Sequence, residues 1–210
     1  QDGSEINRIE SGLNRFVMRE WNLLVSRAIK SVVSFVNNMP REKLKSSDQS
    51  KIEKRIESIL SKIDEKIKSR LESDTAKIYK ANRARFQNLH KLKKRTNKSE
   101  ILKAKFESSD QLIVKALARL HLISASDHYS NNHKAFISDM IKINVIDRGL
   151  PKKEAGQFLI NQLSSRLGGF DQSVPETIRN QGQLAASAYF EGLSATTVTR
   201  ARNFGQIDLM

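Results

Sequence analysis

Apolar residues recur along the first part of this chain at steps that suit a helix. Ile6, Ile9, Leu13, Phe16, Val17, Leu24, Val32 and Val36 fall mostly three, four or a few whole turns apart, which puts them on one face of an α-helix. Ser4 is suited to cap its start and Pro40 to mark its end. A polar connection, 41–50, follows. Ser47 or Asp48 then caps a long second helix with the stripe Ile52, Ile56, Ile59, Ile63, Ile67, Leu71 and Ile78. Steps of four and three resemble a coiled-coil seam. Glu53, Lys54, Glu57, Lys62, Asp64, Glu65, Lys66 and Lys68 lie between, many at ion-pair spacing, and predict a solvated helix packed on a neighbour.

The helical pattern continues from about 77 to 105 and turns basic. Ser108, Ser109 and Asp110 then predict a cap for a helix through Leu112, Ile113, Ala116, Leu117, Leu120 and Ile123. The polar stretch Ser124 to Asn132 reads as a loop. A further helix runs through Phe136, Met140, Ile143 and Val145 and ends at Gly149. In Gly149-Leu150-Pro151, glycine suits a left-handed helix end and proline the start of the next helix. That helix carries Ala155, Phe158, Leu159, Leu163 and Leu167 and stops at Gly168-Gly169. Pro175 and Glu176 open another, through Ile178, Leu184, Ala185, Ala188 and Phe190, stopping near Gly192. Ser194 caps a last one through Val198, Ala201 and Phe204.

Composition sharpens this all-α reading. Only 9 Gly and 3 Pro occur in 210 residues, too few for the turns of an all-β fold. With 38% of residues hydrophobic and 29% charged, the chain suits long helices with narrow apolar stripes better than a thick core. Most of the positive excess lies between Lys51 and Lys105, whereas the last third is nearly balanced. The shift near residue 125 predicts an extended basic helical arm over 1–125 and a compact helical domain over 126–210.

The net charge of +14 favours acidic partners: nucleic acid, an anionic membrane face or an acidic protein. Cysteine is absent, which excludes disulfides and thiolate metal sites. No apolar run approaches the roughly 18–20 residues that span a bilayer. The chain begins at Gln1 and ends on Ile207-Asp208-Leu209-Met210, which predicts a processed form or a piece of a longer protein.

Candidate chemistry is sparse. Asp127, His128 and His133 are close in sequence, but a helical zinc pair wants histidines four apart. A spacing of five in a loop predicts surface or partner-facing histidines and no metal. His90 and His121 have no companions. Gly168-Gly169 follows a helix instead of preceding one, so no phosphate cradle is expected. Glu53, Glu57, Glu65 and Glu72 are interleaved with bases on a solvated face, where nothing raises a carboxylate into the range for acid catalysis. The expectation is therefore no catalytic residue and no cofactor. The sharpest candidate is Lys91, Lys93, Lys94, Arg95 and Lys98, flanked by Arg83, Arg85, Lys103 and Lys105. Such a cluster can neutralise phosphates without reading sequence, or meet an acidic protein; Tyr79, Phe86 and Phe106 are few aromatics for stacking bases.

Two stretches of the last third carry a resemblance. Ile141-Lys142-Ile143-Asn144-Val145-Ile146-Asp147-Arg148-Gly149-Leu150-Pro151-Lys152-Lys153-Glu154-Ala155 is a helix ending at Gly-Leu, a capping residue and an acidic helix start. Ala195-Thr196-Thr197-Val198-Thr199-Arg200-Ala201-Arg202-Asn203-Phe204-Gly205-Gln206-Ile207-Asp208 is a second helix. Over about 70 residues the chain resembles the helical region of the phage Mu protein F-like minor head proteins, the head morphogenesis family. The family's Asp-Arg-Thr and Cys-containing segment would follow Met210. The resemblance implies the N-terminal helical part of a minor capsid protein. Its partners would be portal or capsid in a multimeric assembly, with possible non-specific contact to DNA. Its place would be the capsid interior or portal vertex of a bacteriophage virion, and the host cytoplasm during assembly. In some relatives the domain is joined to a toxin or ADP-ribosylating domain, and nothing here matches one. Two other readings stay open: a bacterial helical nucleic-acid-binding protein, and the trafficking region of a polymorphic toxin.

Overall fold

A computed structural model describes residues 2–93, 127–168 and 176–207. Among these residues the protein is all-α, with long helices and no strand. Helix α1 (Asp2–Asn37), α2 (Ser46–Leu60) and α3 (Ile63–Lys93) are followed by a helical stretch at 127–132. Then come α4 (Lys134–Met140), running into a π-helical turn (Ile141–Ile146), α5 (Lys152–Leu167) and α6 (Glu176–Ile207).

Helix α1 is central. It packs against α2, α3, α5 and α6, while α6 also packs along α3 and α5. The predicted positions Leu13, Val17, Leu24, Val32 and Val36 are all buried, and Trp21, Val25 and Ile29 join them. The expected boundary near residue 125 falls in 94–126, outside the described residues. On either side of that stretch the described residues share one core: Leu13 to Leu71 from the first part mingle with Tyr129 to Leu193 from the second. A smaller cluster, Ile78, Val198 and Ala201, with Ile6 and Ile9 against it, joins the far ends of α1, α3 and α6.

The second predicted helix is two, offset at Ser61-Lys62. Ser61 N–H reaches both Glu57 O and Ile59 O, and Lys62 N–H bonds Ile59 O at 3.2 Å. This tight turn advances the seam by one place. Leu60 is buried where Ile59 was expected, and Ile63, Ile67 and Leu71 continue the line. Asp48 does mark the start, but from inside the first turn. Lys45 stands at the cap position, and its N–H donates back to Asp48 Oδ2 at 2.8 Å, satisfying one of the amides that a helix start leaves open.

Gly149 and Gly168 adopt φ of +62° and +83°, the left-handed conformation that ends a helix most cheaply on glycine. Pro151 then stands at the cap of α5. The predicted stop at Gly192 does not occur, and α6 runs through it. One glycine costs a helix only about 1 kcal/mol, and neighbouring contacts outweigh it: Ala186 and Phe190 before it, and Leu193, Ser194, Thr197, Val198 and Ala201 after it, are all buried. The stripe is also shifted from the predicted one, since Leu184 stands 71% exposed. Finally, 127–132 is helical, not a loop, and this places the histidines.

Candidate functional site

Tyr129, His133, Ile137, Ile141 and Val145 lie four residues apart and are all buried. His133 thus occupies a core position on a helical stripe, and His128 is buried one turn before it. The expectation of surface histidines is overturned here. Helical geometry across 127–140 turns both rings inward, and His128 lies against Trp21 of α1 and Tyr189 and Phe190 of α6.

The two rings meet at right angles, with Nε2 of one 3.3 Å from Nε2 of the other. Arg166 of α5 donates its Nε–H to His133 Nδ1 at 3.1 Å and an Nη2–H to the Asn132 carbonyl at 2.8 Å. Its guanidinium also lies over the Phe136 ring at 4.3 Å. His128 is stacked on Tyr189 at 4.0 Å and touches Trp21 at 5.1 Å between ring centres. Trp21 in turn donates its indole N–H to Leu167 O at 3.0 Å, serving a carbonyl that the end of α5 leaves without a helical partner.

These contacts set a direction for the protons. Guanidinium is always a donor, so His133 Nδ1 must accept. A neutral His133 then carries its proton on Nε2 and donates it to His128 Nε2. At the other side of the pair, the side-chain nitrogen of Asn132 lies 3.1 Å from His128 Nδ1 and donates to the His128 carbonyl at 3.0 Å. Burial favours the neutral rings. It pushes His128 down to about 4. It also lowers His133 to about 3, with help from His128 and Arg166. Burial likewise raises the Tyr189 hydroxyl, as do the charges of Asp127 and Asp64.

A cleft of about 490 Å³ opens beside the pair, lined in part by His128, Asn132, His133, Phe136, Arg166 and Tyr189. A general base works best with a pKa near the working pH; rings held this low take a proton reluctantly at neutral pH. While Arg166 holds Nδ1, the other His133 nitrogen bears hydrogen and has no lone pair for a metal. Among the described residues no three His, Asp or Glu side chains gather around a common point. The arrangement is chemically suited to locking α5, α6 and 127–140 onto α1.

Comparison of the chain with protein-family models, curated proteins and solved structures gave no match in any of the three.

The candidates read from sequence lie elsewhere. Lys91 and Lys93 fall in the last turn of α3, whereas Lys94, Arg95 and Lys98 lie outside the described residues, as does His121. Glu53 accepts from Gln49 at 3.0 Å. Glu57 pairs with Lys134 at 3.2 Å, both about half exposed. The sequence held one overlooked signal for the histidine pair: the four-residue stripe continues backwards from Val145 through His133 to Tyr129, across what was read as a loop.

Proposed function

We propose that this chain is a structural assembly protein, a minor head protein that binds the portal or inner capsid of a tailed bacteriophage. The observation that supports it best is how the polar groups at the cleft are used. The imidazoles, Arg166 and Asn132 bond to one another and join α5 to 127–133, while the His128 ring packs on α1 and α6, as a rigid structural part requires. A net charge of +14 suits an acidic protein surface or packaged DNA. The phage setting comes from the resemblance of residues 141–155 and 195–208 to the head morphogenesis family. Co-purification of the full chain with portal rings is the direct test. Retention at micromolar concentration is expected, and no association would remove the reading.

The basic cluster favours a second reading, a helical protein that holds nucleic acid by its phosphates. Changing Lys91, Lys93, Lys94 and Arg95 to Glu should then abolish DNA retention, and the parent's binding should fall steeply with salt. Unchanged retention would eliminate the cluster as the contact.

A further inference from the structure

The side of α1 facing away from its core stripe borders a groove that the described residues leave open. The groove runs between α1 and α6, holds about 650 Å³, and is lined in part by Arg15, Met18, Arg19, Leu23, Lys30 and Ser187. Leu23 is 49% exposed within it, and Leu184, beside the lining residue Gln183, is 71% exposed. Large apolar side chains left exposed along one groove mark contact surfaces more often than single scattered ones do. Among the described residues the cationic side chains on this lining are Arg15, Arg19 and Lys30, and no acid lines it, Glu20 reaching Arg19 only at 3.9 Å along the helix. Beyond Asn14 and Arg15 the valley continues to Glu10 and Glu191, where the sign of charge changes.

We propose that this groove docks an acidic amphipathic helix of another protein. The span from Asn14 to Lys30 on α1 is about 24 Å at 1.5 Å per residue, which seats roughly sixteen residues of helix. Leucine-type side chains of the partner would lie on Met18, Leu23 and Leu184, and its carboxylates would face Arg15, Arg19 and Lys30. Charge selects this occupant over two others. A second copy of the chain brings a net +14 to a basic rim. The chain's own residues 94–126 carry seven Lys and Arg against three acids and would be repelled in the same way. The docking inference rests on the assembly reading and names the surface through which assembly would occur.

The test uses the full chain and a synthetic sixteen-residue helical peptide with leucines at helical spacing and glutamates elsewhere. A control peptide has lysine for every glutamate. The expected result is saturable binding of the acidic peptide, weakening with salt, with no binding of the lysine peptide. Leu23→Ala with Leu184→Ala should weaken it by about tenfold or more, and Arg19→Glu should do likewise. All three positions are exposed, so far-UV dichroism should stay unchanged. Equal binding of both peptides, no binding of either, or variants that bind as the parent does would overturn the inference; no binding is also what a groove filled by this chain or a second copy would give. Variants that lose the peptide yet still co-purify with portal rings would sink the groove and spare the assembly reading.

Discussion

Among the described residues several places bury an ionisable group, Asp74 between Arg70 and Lys77 being one, and two of them handle it in opposite ways. Asp48 is 1% exposed and stays charged. Arg41 donates to both its oxygens, at 2.7 and 2.6 Å, and the Lys45 amide adds a third bond. Burial alone would raise its carboxyl, but the backbone bond and the Arg41 guanidinium outweigh that and hold it below the usual carboxylate range. His128 and His133 have no counter-charge, and Arg166 adds a like one. They stay neutral and are held by shape, stacking and a directed chain of hydrogen bonds. The charged site needs a matching charge at a helix start on the bundle's edge. The neutral site needs an aromatic enclosure, which only the meeting of α1, α5 and α6 supplies.

If shape holds the neutral site, removing its aromatic floor should cost most. Trp21→Ala is expected to destabilise by about 3–5 kcal/mol, the range for emptying a large buried aromatic site, measured by denaturant unfolding. Trp21→Phe keeps most of the ring contact but orphans Leu167 O, so a smaller loss of about 1–3 kcal/mol is expected. Equal losses for the two variants would show that the hydrogen bond, not the enclosure, carries the site.

Acid should separate the two sites. Each histidine has a folded pKa below its unfolded value of 6.5. Between those values the unfolded chain holds more protons. The histidine contribution is therefore complete above about pH 6.5 and is lost as pH falls towards 4, with a slope on the order of 1 kcal/mol per pH unit for each ring. Asp48, whose pKa is also lowered, keeps its contribution above 3.8 and loses it only below. Unfolding midpoints against pH should thus fall first in the histidine window. Replacing both histidines with Gln should flatten that window and leave the loss below 3.8. A parent whose stability is level from pH 7 to 4.5 would rule out neutral, buried rings.

The sequence made these two sites unequally legible. Asp48 could be read because a helix start is local: an acid ahead of the Ile52–Ile56 stripe is enough, and only its place within the first turn was missed. The long stripe of α1 was equally plain, because period alone reveals it, and so was that of α2 with α3 except at Ser61-Lys62, where a tight turn puts Leu60 in the place of Ile59. The histidine pair depends on Trp21, Arg166 and Tyr189, which are far apart in sequence, and on reading 127–132 as helix although Ser124 to Asn132 is polar. Gly192 misled for a related reason. A glycine signals a stop only where burial on both sides does not override it, and Ser194 and Thr197 gave no apolar warning that they were buried.

A moderate effect should follow at Asp48. Asp48→Ala removes the bond to the Lys45 amide and leaves Arg41 without its carboxylate, so a loss of about 1–2 kcal/mol is expected, as for helix-start residues generally. Asp48→Asn retains an oxygen for the amide but not the charge, and should fall between the parent and alanine. If the two variants are equal, the ion pair with Arg41 contributes what the backbone bond was credited with.

The smallest effect belongs to Lys134–Glu57, which joins α4 to α2 at 3.2 Å with both side chains about half exposed. Lys134 also reaches both oxygens of its carboxylate, but at a longer distance than Arg41 does at Asp48; water reaches both partners and the pair makes no backbone bond at a helix start. Exposed pairs of this kind contribute about 0–1 kcal/mol because solvent screens them and both side chains lose freedom in pairing. A double-mutant cycle with Lys134→Gln and Glu57→Gln should give a coupling in that range, vanishing near 1 M salt. The same cycle at Arg41 and Asp48 should give a larger coupling that salt reduces less. Equal couplings would mean that burial is not what distinguishes the charged site, and the contrast with the neutral histidines would then rest on Arg166 alone.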